Sequence, residues 1–208
     1  MKISIGPRDT NQVVVALKEQ QILNDGFTVL DVGASADPWT AEVLTATFDM
    51  FETRTGAMHF HGNINNEKDW EPLLQYCSEN GNFSYSVCSH TLEDVAYPIV
   101  ALEMLPKVSE MGFISMPSHK RELCRNLESS SWRGYIHHRW MFIGKEGKLI
   151  LIPKIPAIEY LDVEGDISEE VAELQIYWED KIDYEVLNND YLGPNKDAVV
   201  QMYKDILC

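Results

Sequence analysis

No apolar run in this chain of 208 residues approaches the roughly 20 residues needed to cross a bilayer; the longest, such as Gln12 to Leu17 and Leu149 to Pro153, are far shorter. A membrane-spanning helix is not expected. The four cysteines, Cys77, Cys88, Cys124 and Cys208, form no C-x-x-C pair, which argues against a zinc knuckle or redox motif and suits reduced thiols. Basic residues are scarce: 17 against 33 acids leave a net charge of −16, which repels a phosphate backbone and an anionic lipid surface alike. Neither nucleic acid nor a membrane is expected as a partner. H-E-x-x-H, G-x-S-x-G and the P-loop are all missing, so zinc protease, serine hydrolase and P-loop nucleotide hydrolase readings have no support. The first residues carry no long apolar segment or small-residue cleavage pattern, and a cytoplasmic location is the expectation. There is no repeat, low-complexity tract or Ser/Gly linker, so residues 1–208 read as a single domain.

What is present is an alternation of short apolar runs with helical periods. A helix is expected over Asn11 to Leu23, a strand over Phe27 to Val32 closed by Gly33, and a short helix opening at Pro38. Further strands follow at Val43 or Leu44 to Asp49, at Ala57 to His61, at Phe83 to Cys88 and at Gly112 to Met116. Helices at Glu67 to Glu79 and Pro98 to Val108 separate the later ones. That order predicts an α/β fold with a Rossmann-like, doubly wound, mostly parallel sheet, its core over 27–118. Residues 130–208 read as an extension. Tyr135 to Ile143 and Lys148 to Ile152 flank Gly144-Lys-Glu-Gly147 as a hairpin making an antiparallel edge, which could pair two copies in a homodimer. After an acidic stretch, the alternation of Leu174, Ile176 and Trp178 predicts a terminal strand, and a helix is expected over Asn195 to Leu207.

The run Thr28 to Pro38 ends a buried strand in an acid and a glycine, the position where an open α/β sheet receives a nucleotide-like ligand. Asp31 and Gly33 stand at that strand end, and Asp49 ends the next strand, where an acid can accept both ribose hydroxyls. The alternative is that strand-end acids cap whatever follows them. Ser35 and Asp37 occupy places where glycines would let backbone wrap a diphosphate, so a ligand without phosphates fits better.

Val29-Leu-Asp-Val-Gly33 resembles motif I of class I S-adenosylmethionine-dependent methyltransferases of the type 11 kind, with Ala34-Ser-Ala-Asp37 departing from the glycine-rich turn. Phe83-Ser-Tyr-Ser-Val-Cys-Ser-His-Thr-Leu-Glu-Asp-Val95, with Pro98, Glu103 and Gly112-Phe-Ile-Ser-Met-Pro117, is similar to the later block of that family. The resemblance implies S-adenosyl-L-methionine as cofactor and a small-molecule acceptor, such as a sugar or metabolite hydroxyl. It further implies that Asp31, Gly33 and Ala34 line the methionine and ribose side, and that Asp49 holds the ribose. Asn63 and Ile64 would flank adenine, the Asn63 carbonyl serving its amine, and Ser89 and His90 would face the methyl group.

The tract Gly134-Tyr-Ile-His-His-Arg-Trp140 adds His138 as a second candidate base beside His90, with Arg139 and Trp140 as substrate-binding candidates, although a tryptophan in a hairpin is more often core, the favoured reading of Trp140. On a strand, His137 and His138 point to opposite faces. No metal ligand is assigned. Two other readings stay open: a non-catalytic binding or assembly module that kept the sheet, and a metal-dependent enzyme using His59 and His61 with His90 and Glu93.

Overall fold

Ile3 and Ile5 alternate with polar neighbours in β1 (Lys2–Gly6), which leads through a short connection into α1 (Thr10–Leu23), capped by Asp9 accepting from Gln12 N. There follow β2 (Val29–Val32), β3 (Ala46–Asp49), β4 (Met58–His61), α2 (Glu71–Asn80), β5 (Tyr85–Ser89), α3 (Pro98–Val108), β6 (Met111–Pro117) and α4 (His119–Glu122). The chain continues with β7 (Trp140–Lys145), β8 (Lys148–Pro153), β9 (Glu173–Glu179), β10 (Tyr184–Val186) and α5 (Lys196–Leu207). The computed structural model describes residues 1–187 and 196–207. Asn195 and Cys208 lie outside them.

Seven strands form one sheet in the order β1-β9-β6-β5-β2-β3-β4. β2 runs parallel to β3 and β5, β3 to β4, and β5 to β6, whereas β9 is antiparallel to both β6 and β1. All four residues of β2 are buried, as a central parallel strand covered on both faces requires. Val29 shares a cluster with Val13 and Leu17 of α1, while Leu30 and Val32 face Leu73 of α2 and Leu102 and Leu105 of α3. The fold is therefore a Rossmann-like, doubly wound α/β sheet. Strand order reverses at β2, and the crevice beyond its carboxyl end is where such sheets bind ligands.

The second half corrects several expectations. The hairpin β7–β8 turns at Glu146 and Gly147, both with positive φ, and forms a separate three-stranded sheet with β10 instead of an edge of the main one. Its Phe142, Leu149 and Leu151 join the main core with Ile176 and Trp178, and its other face packs Met141, Ile143 and Ile152 on Tyr203 of α5. Two apolar faces hold this sheet between layers. A Cβ on Gly144 would lie 2.5 Å from Ile3 Cγ2, so the two sheets close only around a glycine. The strand expected at Leu174, Ile176 and Trp178 is β9, which lies between β6 and β1; β1 itself was not among the expected elements. Pro38 opens no helix, and residues 38–43 make tight turns instead, with Ala41 N on Pro38 O and Val43 N on Thr40 O. No described helix is long and apolar enough to cross a membrane.

Candidate functional site

The turn leaving β2 is built around Gly33, whose φ is +76°, and a Cβ there would meet Thr91 Oγ1 at 2.4 Å. Only glycine satisfies both conditions. Gly33 N donates to Phe48 O at 2.9 Å, and Ser35, with φ of 59°, donates its N–H to Asp49 Oδ2 at 2.9 Å. Asp49 Oδ1 accepts from Phe51 N at 2.8 Å. Each Asp49 oxygen thus spends one acceptor site on backbone and keeps capacity for another donor. Asp37 Oδ2 accepts from Arg54 Nη1 at 2.8 Å, and Arg54 N binds Ala36 O.

A cavity of about 310 Å³ opens here, walled by Arg8, Asp31, Gly33, Ala34, Ser89 and His90. Asp37 and Trp39 also line it. Asp31 is 3% exposed and accepts from Thr40 Oγ1. Burial pushes its carboxyl up to about 7; the Thr40 bond opposes this and the Asp49 charge adds to it. Arg8, exposed in the link between β1 and α1, has no hydrogen-bond or ion-pair partner among the described residues. Ser89 Oγ lies 2.9 Å from Ser115 Oγ at the ends of neighbouring strands.

His90 follows β5 with φ of 51°, its N–H held by Ser115 O at 2.9 Å. Its Nε2 is 2.8 Å from Glu173 Oε1 and its Nδ1 is 3.3 Å from Glu93 Oε1, and both acids are buried. Burial pulls the imidazole pKa down, but the two carboxylates together outweigh it and raise it to about 9. His90 is therefore a cation at neutral pH. That corrects its expected role, since a protonated imidazole donates a hydrogen bond and cannot take a proton.

Other expected site residues lie elsewhere. Asn63 Oδ1 accepts from Asn65 N at 3.0 Å and Asn65 Nδ2 at 2.9 Å, so the carbonyl expected to read adenine is consumed locally. Ile64 packs on the main core and its O accepts from Trp70 Nε1 at 3.2 Å. Neither residue lines the cavity. Trp140 belongs to the core, with Nε1 on Val95 O at 3.1 Å, and is no stacking platform. Arg139 is exposed, its N–H donating to Glu93 O at 2.7 Å. His138 lines a different cleft with Arg133 and Lys154, bound to the buried Glu122, which removes it as a base for the first cavity. His59 Nδ1 is 2.9 Å from Thr47 Oγ1, and the His59 and His61 rings are 6.3 Å apart.

Sequence reading missed Arg8, Trp39 and Glu173. Arg8 and Glu173 are 165 residues apart in the numbering and meet at one site through the pairing of β1, β9 and β6. Alternation marks such strands, but nothing in it names their neighbours.

No family model and no curated protein matches this sequence. Among solved structures, a cyclopropane-fatty-acyl-phospholipid synthase-like protein from Lactobacillus casei is similar at 12% identity. That likeness has a TM-score of 0.35 and covers 60% of this chain and 56% of that one. A likeness at that level adds nothing to what the strand order itself establishes.

Proposed function

We propose that the protein binds S-adenosylmethionine in the cavity at the end of β2 and transfers its methyl group to a small acceptor. The observation that carries this reading is one cavity at the switch point where two acids, a glycine turn and an exposed arginine converge without a phosphate cradle. The donor set fits the amino-acid end of such a cofactor: Asp31 suits an ammonium, while Arg8 suits a carboxylate. Asp49 retains acceptor capacity for ribose hydroxyls. When bound, S-adenosylmethionine supplies a methyl group already activated for transfer.

Asp31 and Arg8 then fix the orientation of the ligand, and orientation provides most of the rate in such a displacement. His90, with its two nitrogens facing Glu93 and Glu173, takes no proton from the acceptor. Acceptors that ionise unaided, such as a carboxylate or an acidic hydroxyl, suit a cavity whose histidine is already protonated. Calorimetry with S-adenosylmethionine and S-adenosylhomocysteine should give stoichiometric heat, weakened in Asp31→Asn. Absence of both heat and thermal shift would sink the proposal.

A second reading, a binding module without turnover, draws on the closed Asn63 turn, which leaves no obvious adenine reader. Labelled cofactor incubated with cell extract separates the two. Label transferred to a product by the parent protein and lost in Asp31→Asn supports the enzyme; binding with no labelled product supports the module.

A further inference from the structure

We propose that Asp94, His137 and His138 form a binding site for one divalent first-row metal ion of the zinc class. Their ligand atoms all lie within 4.8 Å of one another. His137 Nε2 and His138 Nε2 each stand 3.7 Å from Asp94 Oδ1, and the two rings are 4.5 Å apart. Consecutive residues on a strand would diverge to opposite faces. Here 135–139 form no strand, because Gly134, with φ of +57°, turns the chain before β7 begins, so both imidazoles converge on the same carboxylate.

The outward nitrogens provide a second, independent observation. His138 Nδ1 is 2.5 Å from Glu122 Oε1, and Glu122 Oε2 in turn accepts from Lys154 Nζ at 2.6 Å. Donation from Nδ1–H to that carboxylate leaves the lone pair on Nε2, the atom facing Asp94. His137 Nδ1 lies 3.9 Å from Glu128 Oε1, an ionic contact beyond hydrogen-bond distance. A carboxylate behind His138 is what metal-binding imidazoles use to fix tautomer and ring orientation.

Ligand chemistry selects the ion. Two imidazoles and one carboxylate suit zinc and its first-row neighbours, whereas magnesium and calcium take oxygen donors. Asp94, Glu122 and Glu128 against Lys154 leave two net negative charges, which a dication neutralises. Three protein ligands keep further positions open for water or an oxygen ligand. The site is built into the fold near the first cavity: Arg139 N and Trp140 N both donate to Glu93 O, joining this loop to the turn that carries His90. It does not depend on cofactor binding.

The test is titration of the tag-free, chelator-treated full chain with zinc ion alone, followed by calorimetry and thermal unfolding. One equivalent should bind and raise the unfolding temperature. Asp94→Asn and His137→Ala sit on exposed side chains, so both should keep the metal-free unfolding temperature of the parent while losing affinity by about tenfold or more. Glu122→Gln should weaken binding through His138, and His59→Ala with His61→Ala should leave it unchanged. Failure of the parent chain to bind one equivalent would overturn the site, as would undiminished affinity in both Asp94→Asn and His137→Ala.

Discussion

Glu173 Oε1 lies 2.8 Å from His90 Nε2, so the first residue of β9 anchors the turn that follows β5. The bond spans the sheet across β6 and ties the candidate site to a strand far away in sequence. It also determines the charge of the imidazole, because Glu93 on the other nitrogen reinforces it.

His90 should titrate near pH 9 by NMR, and Glu173→Gln should bring it down toward the ordinary range. Its folded-state pKa is raised above 6.5, so its contribution to stability is fully present below pH 6.5 and is lost as pH rises through about 9. That contribution is on the order of 3 kcal/mol. Denaturant unfolding between pH 6 and pH 9.5, bounds chosen to bracket about this window, should show the decline in the parent and a shallower one in Glu173→Gln.

Asp31 has the opposite chemistry and the same slope. A carboxyl raised from 3.8 to about 7 binds its proton more tightly when folded, so stability falls as pH rises from 3.8 to about 7 and stays reduced above it. Asp31→Asn, which keeps an acceptor for Thr40, should unfold at a higher temperature than the parent at pH 8. The gap should close by about pH 3, below 3.8, where both states carry the proton. Equal melting temperatures at pH 8 would contradict the buried charge.

Gly33→Ala combines a left-handed backbone with a methyl group 2.4 Å from Thr91 Oγ1. It should cost about 1–3 kcal/mol or more in urea unfolding and weaken ligand binding, because the turn must shift. The substitution at Gly147, with similar φ but nothing within 4 Å, should cost less and leave binding alone.

Arg8→Ala should leave the unfolding temperature unchanged, since the guanidinium is exposed and unpartnered among the described residues. Affinity for S-adenosylhomocysteine should fall about tenfold, the worth of one charge-assisted contact. Calorimetry measures both directly. An affinity equal to that of the parent would remove Arg8 from the site.

Much of the parallel sheet was legible because its strands are short, largely apolar and mostly separated by helical periods: Val29–Val32 and Tyr85–Ser89 sit close to where their composition puts them. Gly33 and Asp31 were legible for the same reason, as a strand-to-turn junction. Asn63 and His138 were misread because identity shows what a side chain can bind and not what has already bound it. Asn65 and Glu122 hold those groups in place of a ligand.

By itself the sequence determined an acidic α/β chain with its turn at Gly33 and no phosphate loop, since periodicity and local backbone chemistry act over a few residues. The tertiary structure alone decided that β9 lies between β6 and β1, bringing Glu173 to His90. It alone also decided that an irregular loop turns His137 and His138 toward Asp94. Strand neighbours and loop conformations depend on packing between distant segments, and those contacts set the charge of the one imidazole and the convergence of the other two.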